Sequence, residues 1–329
     1  MMLVKKELLI FYVYMKLYTF SYLHLLTFKT PIYICLIEVN ILLYYYIMKI
    51  ITAVVNNPLF IEIQYYTLQK YFQGEYEFIV FNDAKDFPDF TNNNDITIKT
   101  EIQKTCNKLN ITCINIPNEH HKQNTDAALR CADSMNYILE YQKKNPDKYL
   151  LLDSDMFLID YFDINKYSNF HCAIVLQSRN DYKINYFWNG IYYFDITKMN
   201  NLELLNFNCC VNCDVGGMMQ EWLEKQMENT PIPNTDDIRW IDKEYHTNDI
   251  YFIKHLWSCS WDISELPKKF EYNTKLIDFL KNDVRNLNDK FFCEIYDNVF
   301  LHYRAGGNWR NEGLELHKLL SQKLKNTLL

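Results

Sequence analysis

The residues in this chain best suited to chemistry are Asp153 and Asp155, which flank Ser154 at the end of an apolar run, Tyr149-Leu150-Leu151-Leu152. A continuous apolar run of that length reads as a central strand covered on both faces. A carboxylate buried without a partner is costly, so both aspartates must sit where the strand leaves the core or where a cation meets them. Spaced one residue apart around a small serine, they can present oxygens to one hard divalent ion. Mg²⁺ and Mn²⁺ accept such ligands and commonly share them with phosphates. Asp and Ser also favour turns, so an ordinary strand-end turn is the plain alternative. Apolar sequence on both sides and an amphipathic helix just upstream favour the metal site.

A second group lies towards the C-terminus. Val299 to Tyr303 reads as a strand running into Arg304-Ala305-Gly306-Gly307-Asn308-Trp309-Arg310, in a chain that has only 7 glycines. Backbone amides in such a loop can approach an anion while Arg304 and Arg310 neutralise it. The competing reading is a turn before the last helix. His302, on the strand itself, is either a satisfied core histidine or a ligand.

The elements that must position these groups alternate between strand and helix from Ile50 onward. Strands are expected at Ile50 to Val55, Tyr76 to Phe81, Ile111 to Ile116 and from Tyr149. Asn57-Pro58 reads as a cap with proline at the first helical position, followed by Ile61, Tyr65, Leu68 and Phe72 at helical spacing. Further helices are expected over Asp95 to Leu109 and from a cap at Asn124 to about Gln142, the latter with Ala128, Ala132, Met135 and Leu139 as its buried stripe. Repeated units of this kind predict an α/β fold with a mostly parallel sheet flanked by helices. Ligands bind beyond the carboxyl ends of such strands, and Asn56, Asn82-Asp83 and Asp153-Ser154-Asp155 all fall there. In the less regular second half, strands are expected at Cys172 to Gln177 and Gly190 to Phe194. Helices are expected at Thr197 to Phe207, Gly217 to Met227, Thr247 to Leu256 and from about Leu314, with Cys259 to Asp289 mixed.

Composition narrows the class. With 329 residues the chain has room for one large α/β domain or two smaller ones. A hydrophobic fraction of 49% excludes intrinsic disorder. A net charge of −7 without any basic block argues against a nucleic-acid partner. The 10 cysteines are scattered through a chain too large to need staples, which predicts reduced thiols and a cytoplasmic setting. The Cys210-Val211-Asn212-Cys213 pair lacks the second ligand pair that a zinc site needs. Residues 1–47 differ from the rest, being rich in Leu, Ile, Tyr and Phe. Lys16, Glu38 and Asn40 interrupt their apolar runs, and a charge at the centre of a spanning helix costs roughly 2.5–3.5 kcal/mol. Two readings stay open: a dispensable extension, including one created by start-codon choice, and an anchor giving membrane association. Residues 48–329 are read as the functional domain.

From about Met48 to Trp309 the chain resembles the nucleotide-sugar-dependent glycosyltransferases of the GT-A (Rossmann-like) fold, especially the divergent kind encoded by large DNA viruses. Ile51-Thr52-Ala53-Val54-Val55-Asn56-Asn57 is similar to their nucleotide-binding first strand. Arg130 to Tyr137 followed by Leu151-Leu152-Asp153-Ser154-Asp155-Met156 resembles their core signature, and Trp188 to Asp195 their pocket-lining strand. His302 resembles the late metal-binding histidine of glycosyltransferase family eight. The resemblance implies a UDP-sugar-like donor held through Mn²⁺ or Mg²⁺ by Asp153, Asp155 and His302, and a protein, glycan or lipid acceptor. It assigns donor contacts to Val55, Asn56, Asp83, Arg130, Ser154, Gly190, Arg304, Gly306, Gly307 and Asn308, and catalytic roles near the sugar to Asn189 and Asp249. It implies the host cytoplasm for a viral protein. The sequence departs from family eight where Asn308-Trp309 replaces a phosphate-gripping lysine, for which Arg304 or Arg310 could substitute. The family's Asp-Gln pair is absent too, Asn248-Asp249 being a loose match. Two rivals remain: a haloacid-dehalogenase-like phosphatase with Asp153 as nucleophile, and a non-catalytic membrane-tethered binding protein whose function survives loss of both aspartates.

Overall fold

The structure is a computed structural model that describes residues 47–329 apart from 88–94, 118–125, 180–183, 211–212, 236–243 and 307–313. The N-terminal stretch read as an extension or anchor lies, up to residue 46, outside the described residues. In chain order, β1 (Met48–Val54) leads to α1 (Pro58–Tyr71), β2 (Phe72–Gln73), β3 (Tyr76–Asn82), α2 (Ile98–Leu109), β4 (Thr112–Asn115), α3 (Ala127–Lys144) and β5 (Lys148–Leu152). There follow β6 (Met156–Leu158), β7 (Phe162–Asp163), the short α4 (Asn165–Ser168), β8 (Cys172–Arg179), β9 (Ile184–Asp195) and α5 (Gln220–Gln226). The rest comprises β10 (Tyr245–His246), β11 (Ile250–Phe252), β12 (His255–Leu256), α6 (Thr274–Lys281), β13 (Glu294–Tyr296), β14 (Phe300–His302) and α7 (Leu314–Leu328).

An eight-stranded sheet has the order β10-β11-β8-β9-β5-β1-β3-β4. The pairs β4–β3, β3–β1, β1–β5 and β8–β11 are parallel, while β9 and β10 run against the other strands. This is the mixed, mostly parallel sheet flanked by helices that the alternating pattern predicts. Its central strands are apolar throughout because both faces are covered. Ile50, Val54, Leu150 and Leu152 pack with Ile61 and Leu68 of α1 on one face. Ile51, Tyr149 and Leu151 pack with Met135, Ile138 and Leu139 of α3 on the other. The start of α1 follows the sequence: Pro58 takes the first position and the Asn57 side chain accepts from the Leu59 N–H. For α3 the cap is Asp126, whose side chain accepts from the Ala128 N–H; Asn124 lies outside the described residues.

A second sheet, β12-β13-β14-β6, is antiparallel throughout. Phe157 of β6 and Leu301 of β14 pack there on Phe60 and Ile63 of α1, Phe279 of α6, and Leu320 and Leu324 of α7. Two expected helices are replaced. Over Thr197 to Phe207 only one 3-10 turn forms (Leu202–Leu204), because Asn201 adopts a left-handed φ of 56° that a right-handed helix cannot continue through. Over Thr247 to Leu256 the chain forms β11 and β12 instead. Ile250, Tyr251, Phe252 and Ile253 are all buried, so no polar helix face exists, and β11 extends the large sheet beside β8. No helix among the described residues is long and apolar enough to cross a membrane.

Candidate metal centre

At the end of β5 the chain changes sheets. Asp153 leaves the large sheet with its N–H donating to the Gly190 carbonyl on β9 (2.7 Å). The Met156 N–H closes a turn onto the Asp153 carbonyl (3.0 Å). From α1, Gln64 Nε2 donates to that same carbonyl (2.7 Å) and to the Met156 carbonyl (3.1 Å). The chain resumes as β6, antiparallel to β14, with Met156 opposite His302. The Tyr303 N–H then reaches the Asp155 carbonyl (2.9 Å). This register, and not sequence proximity, brings the histidine to the aspartates. His302 Nε2 lies 3.0 Å from Asp155 Oδ1. Asp153, Asp155 and His302 each offer a ligand atom, all within 4.8 Å of one another.

The site is rich in negative charge. Burial opposes ionisation of Asp155, but His302 and the Gly306 N–H, which donates to Oδ2 at 2.7 Å, outweigh it and hold the carboxyl below its usual range. Burial and then the Asp155 charge push half-buried Asp153 up to about 7, against His302 and a Ser154 N–H bond to Oδ1 (2.7 Å). Burial would lower His302, yet Asp155 and Glu294 together raise it to about 10. Glu294 is itself buried, which opposes its charge; His302 wins and lowers it. Glu294 Oε2 faces His302 Nδ1 at 2.7 Å and accepts from the Tyr296 hydroxyl (2.8 Å), while Oε1 accepts from the Ser258 N–H (3.1 Å). Three carboxylates thus surround one imidazole, an imbalance that a divalent cation matches. Two carboxylates and an imidazole nitrogen form a donor set that fits such an ion.

The other residues singled out by sequence are distributed unevenly. Gly190 and Ser154 border the pair directly. Gly306 closes on Asp155, and its backbone amide is committed to that carboxylate. Buried Asn189 turns to the α3 face, its Nδ2 donating to Cys131 Sγ (3.6 Å). Asp153, Asp83 and Asp214 all act on the Cys131 thiol, which burial pushes well up. Asp83, past the end of β3, accepts from Ser134 Oγ (2.7 Å), one turn from buried Arg130. Val55 and buried Asn56 follow the end of β1. Arg304 is exposed, with Nε 3.7 Å from Glu294 Oε1. Asp249 is not part of this group. It precedes β11, whose Ile250 pairs with Cys172 at the start of β8, so it lies at the opposite, N-terminal end of the parallel strands, 3.4 Å from His171. Gly307, Asn308 and Arg310 lie outside the described residues.

Sequence reasoning missed Glu294, Gln64 and Trp257. Glu294 had one signal: Asp297-Asn298, both at positive φ (51° and 65°), makes the tight turn that folds β13 onto β14. Gln64 shows only as a polar residue next to the apolar stripe of α1. Trp188 and Trp257 line a cavity of about 330 Å³ beside His302, with Glu294 and Arg304 on the same wall.

No family model matches this sequence, and no curated protein matches it. Among solved structures, one similar chain is the apo structure of the WbbM bifunctional glycosyltransferase. It is 11% identical with a TM-score of 0.31, and the match covers 47% of this chain and 32% of that one. At that level the likeness carries no functional weight, and the function must be read from the site.

Proposed function

We propose that this chain is a metal-dependent glycosyltransferase that moves a sugar from a nucleotide-sugar donor of the UDP-sugar kind to an acceptor. The observation that carries this reading is the convergence of Asp153, Asp155 and His302, ligand atoms within 4.8 Å, just beyond the carboxyl end of a central strand. These residues would hold Mn²⁺ or Mg²⁺. The ion, when bound, supplies Lewis-acid neutralisation of the nucleoside diphosphate as it departs. The protein's own groups do the positioning. Glu294 engages Nδ1 of His302 so that Nε2 is the nitrogen turned to Asp155. The Gly306 amide fixes the second oxygen of Asp155. Arg304, exposed at the cavity, can pair with a phosphate. Asn56, Val55 and Asp83 are assigned to base and ribose, Arg130 to the ribose or phosphate side, and Ser154, Gly190 and Asn189 to the walls around the sugar.

The test is to incubate the protein with Mn²⁺ and a panel of nucleotide sugars and to measure nucleoside diphosphate release. Release from one donor, abolished by EDTA and by Asp155→Asn, is expected. No turnover and no binding of any sugar nucleotide would sink the proposal. Hydrolysis of a phosphoester with a phosphorylated Asp153 would replace it with the phosphatase.

A further inference from the structure

We infer that Arg285 is a positioning residue of the metal centre: it holds the turn after β14 so that the Gly306 amide meets Asp155. This rests on the metal-centre part of the transferase reading and adds to it a residue outside the three ligands. Two residues past α6, Asp283 Oδ1 accepts from the Arg285 N–H (3.0 Å), a local turn that folds the arginine back onto the same carboxylate. There Nε donates to Oδ1 (2.9 Å) and Nη2 to Oδ2 (2.6 Å), so one fork engages both oxygens. The Asp283 side chain is 1% exposed and that of Arg285 11%. Asn286 anchors the far side of the loop, its Nδ2 donating to the Leu280 carbonyl (2.7 Å) and its Oδ1 accepting from the Phe292 N–H (2.9 Å).

With one edge of the guanidinium committed to Asp283, the remaining nitrogen is aimed. Nη1 donates to the Arg304 carbonyl (2.8 Å), and Cζ lies 3.9 Å from the centroid of the Tyr303 ring. Tyr303 and Arg304 are the two residues that follow His302. Arg304 and Ala305 have φ of 41° and 58°, left-handed values that non-glycine residues avoid unless their surroundings hold them there. These two residues turn the chain so that the next N–H, that of Gly306, donates to Asp155 Oδ2 (2.7 Å). A continuous path of contacts thus runs from Asp283 through Arg285 and the Arg304 carbonyl to a ligand carboxylate.

The chemistry calls for a planar fork. A lysine has a single nitrogen, so it can reach Asp283 or the carbonyl but cannot hold both in fixed directions while stacking on a ring. Stability alone does not account for the pair. A nearly buried ion pair gives little over well-packed apolar side chains of the same size, because desolvation offsets the attraction. What the pair fixes is direction. Asp283 sets the orientation of the guanidinium, and that orientation sets where the Arg304 carbonyl lies.

The first test needs no metal. Ala305-Gly306 is the one Ala-Gly step in the chain. Full chain made with alanine labelled at its carbonyl carbon and glycine at its nitrogen therefore shows that amide alone in a carbonyl-correlated NMR spectrum. Arg285→Met keeps length and apolar contact without a donor, and should speed exchange of the Gly306 amide in heavy water by about tenfold, the worth of one hydrogen bond. Mn²⁺ affinity, read by calorimetric titration, should fall roughly tenfold with it. Arg285→Lys should restore only part of either loss. Leu276→Ala removes a side chain from the same apolar cluster as Tyr303 without touching the turn, and should leave both readouts at wild-type values. If Arg285→Met does not fold, Asp283→Asn with Arg285→Met removes both buried charges together and must show the same two losses. The role of Arg285 is overturned if a folded variant keeps wild-type exchange at Gly306 or wild-type Mn²⁺ affinity, or if Leu276→Ala has the same effects. Absence of Mn²⁺ binding by the wild type would instead sink the metal-centre reading, and the metal-free exchange data tell the two failures apart.

Discussion

One imidazole between three carboxylates sets the behaviour of the site. His302 is gripped from both sides, by Asp155 at Nε2 and Glu294 at Nδ1, so the residue that orients the ligand matters almost as much as the ligand. Glu294→Gln keeps the shape and removes the charge. It should lower Mn²⁺ affinity roughly 10–100-fold, the usual cost of losing an outer-shell partner. Calorimetric titration with Mn²⁺ measures this, and unchanged affinity would separate Glu294 from the centre. Gly306 acts by having no side chain. A Cβ there would come within 2.7 Å of Phe60, 2.8 Å of Tyr303 and 2.9 Å of Asp155 Cβ, all buried groups with little room to yield. Gly306→Ala should therefore cost about 1–3 kcal/mol by overpacking, read by thermal unfolding, and should weaken Mn²⁺ binding by displacing Asp155. Stability and affinity both at wild-type values would show that the loop tolerates the side chain. The aspartates stood out because they end an apolar run, where a buried charge needs a reason, whereas His302 read equally as a core histidine and was singled out through the family resemblance. Glu294 was not, because its partner is found only across a hairpin. Asp249 misled because its short polar surroundings do not say which end of the sheet it occupies.

At the scale of elements, the decisive feature is the turn in which the chain passes from β5 to β6 and changes sheets. Gln64 spans it from α1, bonding both the carbonyl that opens the turn and the one that follows it. Gln64→Met preserves length and apolar contact while leaving the Met156 carbonyl without this donor. A loss of about 1–3 kcal/mol is expected, the cost of an unpaired buried polar group, with reduced Mn²⁺ affinity because Asp153 and Asp155 flank the turn. Denaturant titration tests it, and a stability change below about 0.5 kcal/mol would mean the turn holds without Gln64. In the first half, β1, β3 and β5 and the helices α1 to α3 were legible since they are long and periodic. In the second half the long β8 and β9 were legible too, but the strands after them were not, because these are two or three residues long, as in β12 (His255–Leu256) and β13 (Glu294–Tyr296). Such strands exist through their partners in the sheet, and no local period announces them.

At the scale of the molecule, the last helix closes on the first described one, α1. Ser321 of α7 accepts from Asn57 Nδ2, just before α1, at 3.2 Å, and Lys325 Nζ lies 2.7 Å from Glu62 of α1. The helix that carries Gln64 is thus tied to the last helix, which links global stability to the turn at the candidate metal centre. Glu62 provides a pH handle on this tie. Lys325 lowers its carboxyl first, against burial, and Lys108 at 3.1 Å adds to the effect. A folded-state value below the ordinary glutamate value of about 4.3 means that the unfolded chain binds the proton more readily. Stability from this group is therefore present above about pH 4.3 and lost as pH falls through the lowered folded value. The pair is partly exposed to solvent, so it contributes no more than about 1 kcal/mol. Chemical denaturation of wild type and Glu62→Gln between pH 7 and pH 3 should show the variant weaker at neutral pH, with the gap closing on acidification. Lys325→Met should reproduce most of the neutral-pH loss and add little to Glu62→Gln, since one interaction cannot be removed twice. A gap that stays constant or widens towards pH 3, or full additivity of the two variants, would show that the Glu62–Lys325 pair does not hold α7 to α1.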